Sequence, residues 1–186
     1  MKRQPQVTEQ TRANLMQAFW ELYLEKPIEK ITIREITDRA GYNRATFYLY
    51  YHDVYDLFEQ IEEGVLGQIG QLVNDRLLGE DTLDFSQHMG FILDLAQRFD
   101  QYMPRLLAAD PTFSRRLKAI IAPLLDRFIL PARNLTDEEY TIVREFYTSG
   151  VLSAIDTWMH AGADRMPIDR LIQLIVETVM PGAACC

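Results

Sequence analysis

Side chains suited to gripping a polar partner gather between Thr32 and His52. Two short segments there flank Gly41-Tyr42-Asn43. Gly41 stands where a tight turn needs a left-handed residue. Ile36, Ala40, Tyr42, Phe47 and Tyr51 recur at spacings that pack the two segments together and onto a preceding helix. The other face of the second segment then shows Asn43, Arg44, Thr46, Tyr48 and Tyr50 to solvent. This is the layout of a helix-turn-helix whose second helix is sized for a major groove. The same spacing also suits an αα-hairpin inside an all-helical core.

Catalytic chemistry finds little support. His52, His88 and His160 lie far apart, and none has a His or Cys partner at metal-ligand spacing. Glu62-Glu63 and Asp137-Glu138-Glu139 read as solvated helix faces and an N-terminal charge preference. Ser114, Ser149 and Ser153 have no base that the sequence positions. No Gly-rich phosphate loop follows a strand. Cys185 and Cys186, the only cysteines, cannot make a disulfide framework or a tetrahedral zinc site. The expectation is no enzyme, no metal and no cofactor.

The elements that hold these residues read as helix after helix. Apolar residues recur at helical spacing, and Gly and Pro are sparse. A first helix spans about Thr8 to Lys26, striped by Leu15, Ala18, Phe19, Leu22 and Tyr23, and stopped by Pro27. Thr32 with Glu35 forms a capping box for a short helix ending at Gly41. A second short helix spans about Arg44 to Tyr50. Asp53, with Asp56, caps a long helix through Leu57, Ile61, Val65, Leu72 and Leu77 to about Leu78. Asp84 with Gln87 opens the next helix, which ends before Pro104, and a short segment spans Pro104–Ala109. A strong stripe then runs from Phe113 to Phe128, with Pro123 expected to kink it and Pro131 to end it. Thr136 and Glu139 cap another helix, and Pro167 fits the first turn of the last. Gly64, Gly67 and Gly70 interrupt the long helix. They mark either a close approach of another helix or a soft segment.

With 186 residues, 48% hydrophobic and 25% charged, the chain is of ordinary globular composition. Net charge is −8, which on average opposes nucleic acid. Residues 1–52, however, hold eight Lys and Arg against six acids, a net of +2, and the rest carries −10. A mildly basic head permits a nucleic-acid contact that the acidic body would repel. No apolar run reaches membrane-spanning length and no secretory signal is present, so a cytoplasmic protein without a membrane partner is expected.

Thr11–Leu57, with TRANLMQAFWELYLEK, ITIREITDRAG and NRATFYLYY, resembles the N-terminal domain of TetR (tetracycline-repressor-like) bacterial regulators. YDLFEQIEE and FYTSGVLSAIDTWMHAG are similar to a subgroup that includes the activator of dihydroxyacetone kinase operons. The resemblance implies an all-α fold. Residues 1–53 would form a three-helix DNA-binding domain and 54–186 a helical domain for effector binding and dimerisation. It also implies a homodimer on a palindromic double-stranded DNA operator, tuned by a small-molecule effector. A co-regulator whose body binds a partner protein instead of a metabolite is the alternative. A helical-bundle binding protein or enzyme in which the head is merely structural is a third reading.

On this resemblance Arg44 stands at a variable reading position, where it can fork onto guanine O6 and N7. Thr46 and Tyr48 match the hydroxyls of a TFY motif and suit a phosphate and a base edge. Asn43, Ala45 and Tyr50 share the same surface. Thr32 caps a helix whose N–H groups suit a phosphate, and Arg34 either reaches the backbone or pairs with Asp38. Val54 replaces a usual phosphate-clamping Lys, and His52 precedes it. In the body, Phe85, Met89, Phe91, Leu95, Phe99, Tyr102, Phe113, Leu117 and Ile120 are expected to line an apolar effector pocket. Gly150, Val151, Ala154, Ile155 and Trp158, with Ile172, Ile175 and Val179, are expected at a four-helix dimer interface.

Overall fold

The computed structural model describes residues 5–82, 86–100, 102–109, 111–130 and 134–179. The expected cap at Asp84, the pocket residue Phe85, the terminator Pro131 and both cysteines lie outside these residues. Among the described residues there is no strand and there are nine α-helices. The fold is all-α, as the periodicity implies.

The chain forms two compact units, Met1–Gly64 and Val65–Cys186. In the first, α1 (Pro5–Glu25) packs on α2 (Ile33–Ala40), followed by α3 (Arg44–Phe47) and the start of α4 (Val54–Gln71). Leu15, Phe19, Ile36, Phe47 and Leu57 are fully buried at its centre. Phe19 and Tyr23 meet Phe58 with ring centroids 6.0 and 5.3 Å apart. Trp20, outside the expected stripe, is buried too, at 1% exposure. Asn14 on α1 donates to the Tyr42 hydroxyl at 3.0 Å, so the turn between α2 and α3 is tied to α1.

Local signals set the element ends. Thr32 and Glu35 make the capping box of α2, and Gly41 closes it at φ 75°. Helix α3 is shorter than the sequence suggests. Its last turn tightens, with Leu49 N–H donating to Thr46 and Tyr50 N–H to Phe47. Asp53 accepts from Asp56 N–H at 2.9 Å, and Asp56 accepts from His52 N–H at 2.6 Å. These reciprocal caps open α4 and depress both carboxyl pKa values.

In the second unit α4 ends in a π-helical turn, Leu72–Leu77. It is followed by α5 (Met89–Phe99), α6 (Met103–Ala109), α7 (Pro111–Phe128), α8 (Asp137–His160) and α9 (Ile168–Val179). Helix α7 continues past Pro123 to Phe128. Helices α7 and α8 are stapled by Lys118 with Glu145, and by Arg144 with Asp126 at 3.3 Å. Arg127 donates to the carbonyls of Leu78 and Glu80, fixing the segment after the π-turn to α7.

Candidate functional site

The outer surface of the first unit is built on two helix starts. At α2, Thr32 Oγ1 accepts from Glu35 N–H at 3.3 Å and donates to Glu35 Oε2 at 2.8 Å. The Thr32 hydroxyl is therefore occupied in the cap. Glu35 puts a carboxylate over the turn on which the sequence suggested a phosphate. Lys26 answers it, with Nζ 2.5 Å from Glu35 Oε1. The Lys26 and Thr32 hydrogen bonds hold the Glu35 carboxyl down at about 2. The N–H groups of Ile33 and Arg34 remain at the open first turn.

At α3, Asn43 Oδ1 accepts from Thr46 N–H at 2.9 Å and from Thr46 Oγ1 at 3.1 Å. This cap presents the turn but engages the Thr46 hydroxyl as a donor. Phe47 is buried at 0% exposure and anchors the helix. Around it Arg44, Ala45 and Tyr48 are exposed, and Tyr50 is half-buried. Tyr48 is 59% exposed, held edge-on to Phe47 with centroids 5.8 Å apart. His52 is exposed, its Nδ1 3.3 Å from Asp53 Oδ2.

Which cations are available decides what this surface can grip. Arg34 lies 3.4 Å from Asp38 in an exposed pair, Arg39 pairs with Glu25 at 3.0 Å, and Arg12 donates to Gln60 at 2.7 Å. Arg44 has no ion pair among the described residues, and neither does Lys30, two residues before the α2 cap. Sequence reasoning missed Lys26 and Lys30. Lys30 carried a signal, since residues 26 and 34, four away on either side, are both basic. The Lys26–Glu35 pair carried none, because it spans nine residues and a proline turn.

Residues 15–61 match the bacterial regulatory proteins of the tetR family. The match covers 47 of the 186 residues, all within the first unit. The chain is 29% identical over 79 residues to the uncharacterised HTH-type transcriptional regulator YxbF of Bacillus subtilis (strain 168). That match takes in 42% of this chain and 21% of YxbF, so the chain spans about a fifth of that relative. The fold is similar to that of a TetR transcriptional regulator from Streptococcus agalactiae 2603V, with a TM-score of 0.66 and 20% identity over 94% of this chain and 96% of that one. It is also similar to the dihydroxyacetone kinase operon activator DhaS, with a TM-score of 0.60 and 17% identity over 91% and 96% of the two chains.

The second unit holds an apolar cavity of about 250 Å³. Its walls come from the α4 end and π-turn, α5, α7, α8 and α9. None of the eight expected pocket residues that are described lines it. Leu95, Phe99, Phe113 and Leu117 are buried, and Met89, Phe91, Tyr102 and Ile120 are half-buried elsewhere. Large side chains fill volume, and the void is left where aliphatic residues meet instead. Four residues expected at a dimer face, Val151, Ile155, Ile172 and Ile175, line the cavity. Trp158 is held within the chain, its Nε1 donating to Met166 carbonyl at 2.7 Å and Arg165 stacked 4.2 Å over its ring. Gly150 is exposed, Ala154 is half-buried, and Val179 ends α9. The exposed apolar residues of α8 are Ile142 and Phe146, at 61% and 71%.

Among the described residues no group of His, Cys, Asp and Glu could hold a metal. No helix there is long and apolar enough to cross a membrane.

Proposed function

We propose that this chain is a TetR-type regulator that binds an inverted-repeat DNA site as a homodimer, with α3 in the major groove, and that a small effector in the body tunes its affinity. The observation that carries this is Arg44. It is exposed at the start of α3, free of any described ion pair, and flanked by the exposed Tyr48. An unpaired guanidinium on a helix that is anchored only by its buried face is built to pair outside the chain. Lys30, Arg34 and the open N–H groups of α2 would hold phosphates, and His52 lies at the edge of the same surface. Effector binding would shift the population between arrangements of the two heads that do and do not match the operator spacing.

Selection of duplexes from a random pool with the full chain tests this reading. An enriched inverted repeat is the expected result. An unenriched pool, bound with the salt dependence of phosphate contacts alone, would overturn it.

The exposed Ile142 and Phe146, one turn apart on α8, favour a second reading of the body in which it docks a protein partner. Pull-down by a dimeric wild-type chain that is lost in Phe146→Glu without change of dimer mass would select that reading.

A further inference from the structure

The cavity of the body has an unusual lining. The fourteen described residues around it are all Leu, Ile or Val. Among the described residues no aromatic, hydroxyl, amide or charged side chain lines it. Leu72, Val73, Leu77 and Leu125 make a buried floor, while Val151 and Ile172 belong to a half-buried rim. Three of the floor residues stand on the π-turn, a rare form that recurs at functional sites.

We infer that this cavity takes an unbranched aliphatic chain of about ten carbons, with one polar end left in solvent at the rim. The size follows from volume. A dry cavity of about 150 Å³ holds benzene, or about 25 Å³ per carbon, so 250 Å³ holds about ten. The single polar end follows from the lining. A hydroxyl or carboxylate carried to the floor would lose its water and find no partner. Aromatic ligands lose the stacking surface that ring-lined pockets supply. This deepens the effector reading proposed above and rests on it for its regulatory meaning. The binding itself needs no DNA to be measured.

The probes are 1-hexanol, 1-octanol, 1-decanol and 1,10-decanediol at equal aqueous concentration. Thermal unfolding and sedimentation mass are followed for the full chain. The melting temperature should rise from hexanol to decanol at constant mass, and the diol should raise it far less. Val151→Phe and Val176→Phe fill the void from two different helices. In each, the decanol shift should vanish while helix content by circular dichroism is kept. A diol as effective as decanol, or filled variants that respond like wild type, would overturn the inference. So would a fall in mass on adding decanol, which would mean that a second copy of the chain covers the rim. An intact decanol shift in a chain that selects no DNA site would leave the ligand class standing and remove the regulatory reading.

Discussion

Arg44 is the residue on which the reading of the head turns. Its availability was legible, because residues 40 and 48, four away, are Ala and Tyr and offer no acid. Arg44→Ala should lower specific affinity by about 1–3 kcal/mol and relax preference at one base pair. Anisotropy titrations on the selected duplex and its single-base variants measure both. Tyr48→Phe should weaken binding with less change of preference. Glu35 makes a different prediction. Its folded pKa of about 2 lies below the ordinary glutamate value of 4.5. A depressed carboxylate contributes stability above its unfolded pKa and loses it as pH falls through the folded one. The contribution of the α2 cap should thus be complete above about pH 4.5 and fade towards pH 2. Carbon-detected NMR should show Glu35 titrating near 2, and Lys26→Met should move it upward. A Glu35 that titrates near 4.5 in wild type would contradict the pairing. Helical spacing rules could not reveal this pair, because the chain turns at Pro27 between the two residues.

Caps and apolar stripes made most helices legible, since both are local. Thr32, Gly41, Asp53 and Thr136 mark ends that the structure reproduces through hydrogen bonds or backbone angle. The contents of the body were not legible in the same way. A stripe shows which face of a helix is apolar, but not which neighbour covers it. Phe99 of α5 and Phe113 of α7 are buried as core, and the aliphatic face of α9 borders the void. The glycines of the first unit and of α4 make opposite predictions. Gly41 needs its φ of 75°, so Gly41→Ala should cost about 1–2 kcal/mol. At Gly64 and Gly67 an added Cβ meets nothing within 4 Å, so no described helix of the same chain approaches them closely. Gly64→Ala and Gly67→Ala should each stabilise by about 0.4–1 kcal/mol. Urea unfolding of the three variants measures the signs. If these glycines keep α4 soft for signalling, the stabilised variants should also respond less to effector.

At the scale of the whole chain, the −10 of residues 53–186 repels phosphate, so the proposed DNA contact should be confined to the first unit. The proposed dimer must then form on the body. Ile155 and Ile175 line the cavity, so a Glu at either would disturb the fold as well as any interface. Phe146 and Ile142 are the better probes, being exposed and apolar. Phe146→Glu should raise the dimer dissociation constant by about tenfold or more, equivalent to about 1.4 kcal/mol, with helix content unchanged. Unaltered sedimentation would place the interface elsewhere. The most direct test of the account is binding of the full chain to its selected inverted repeat against a scrambled duplex of equal length, at physiological salt. The account predicts two chains per duplex and a preference of about a thousandfold or more for the repeat. Equal affinity for the two duplexes would contradict it.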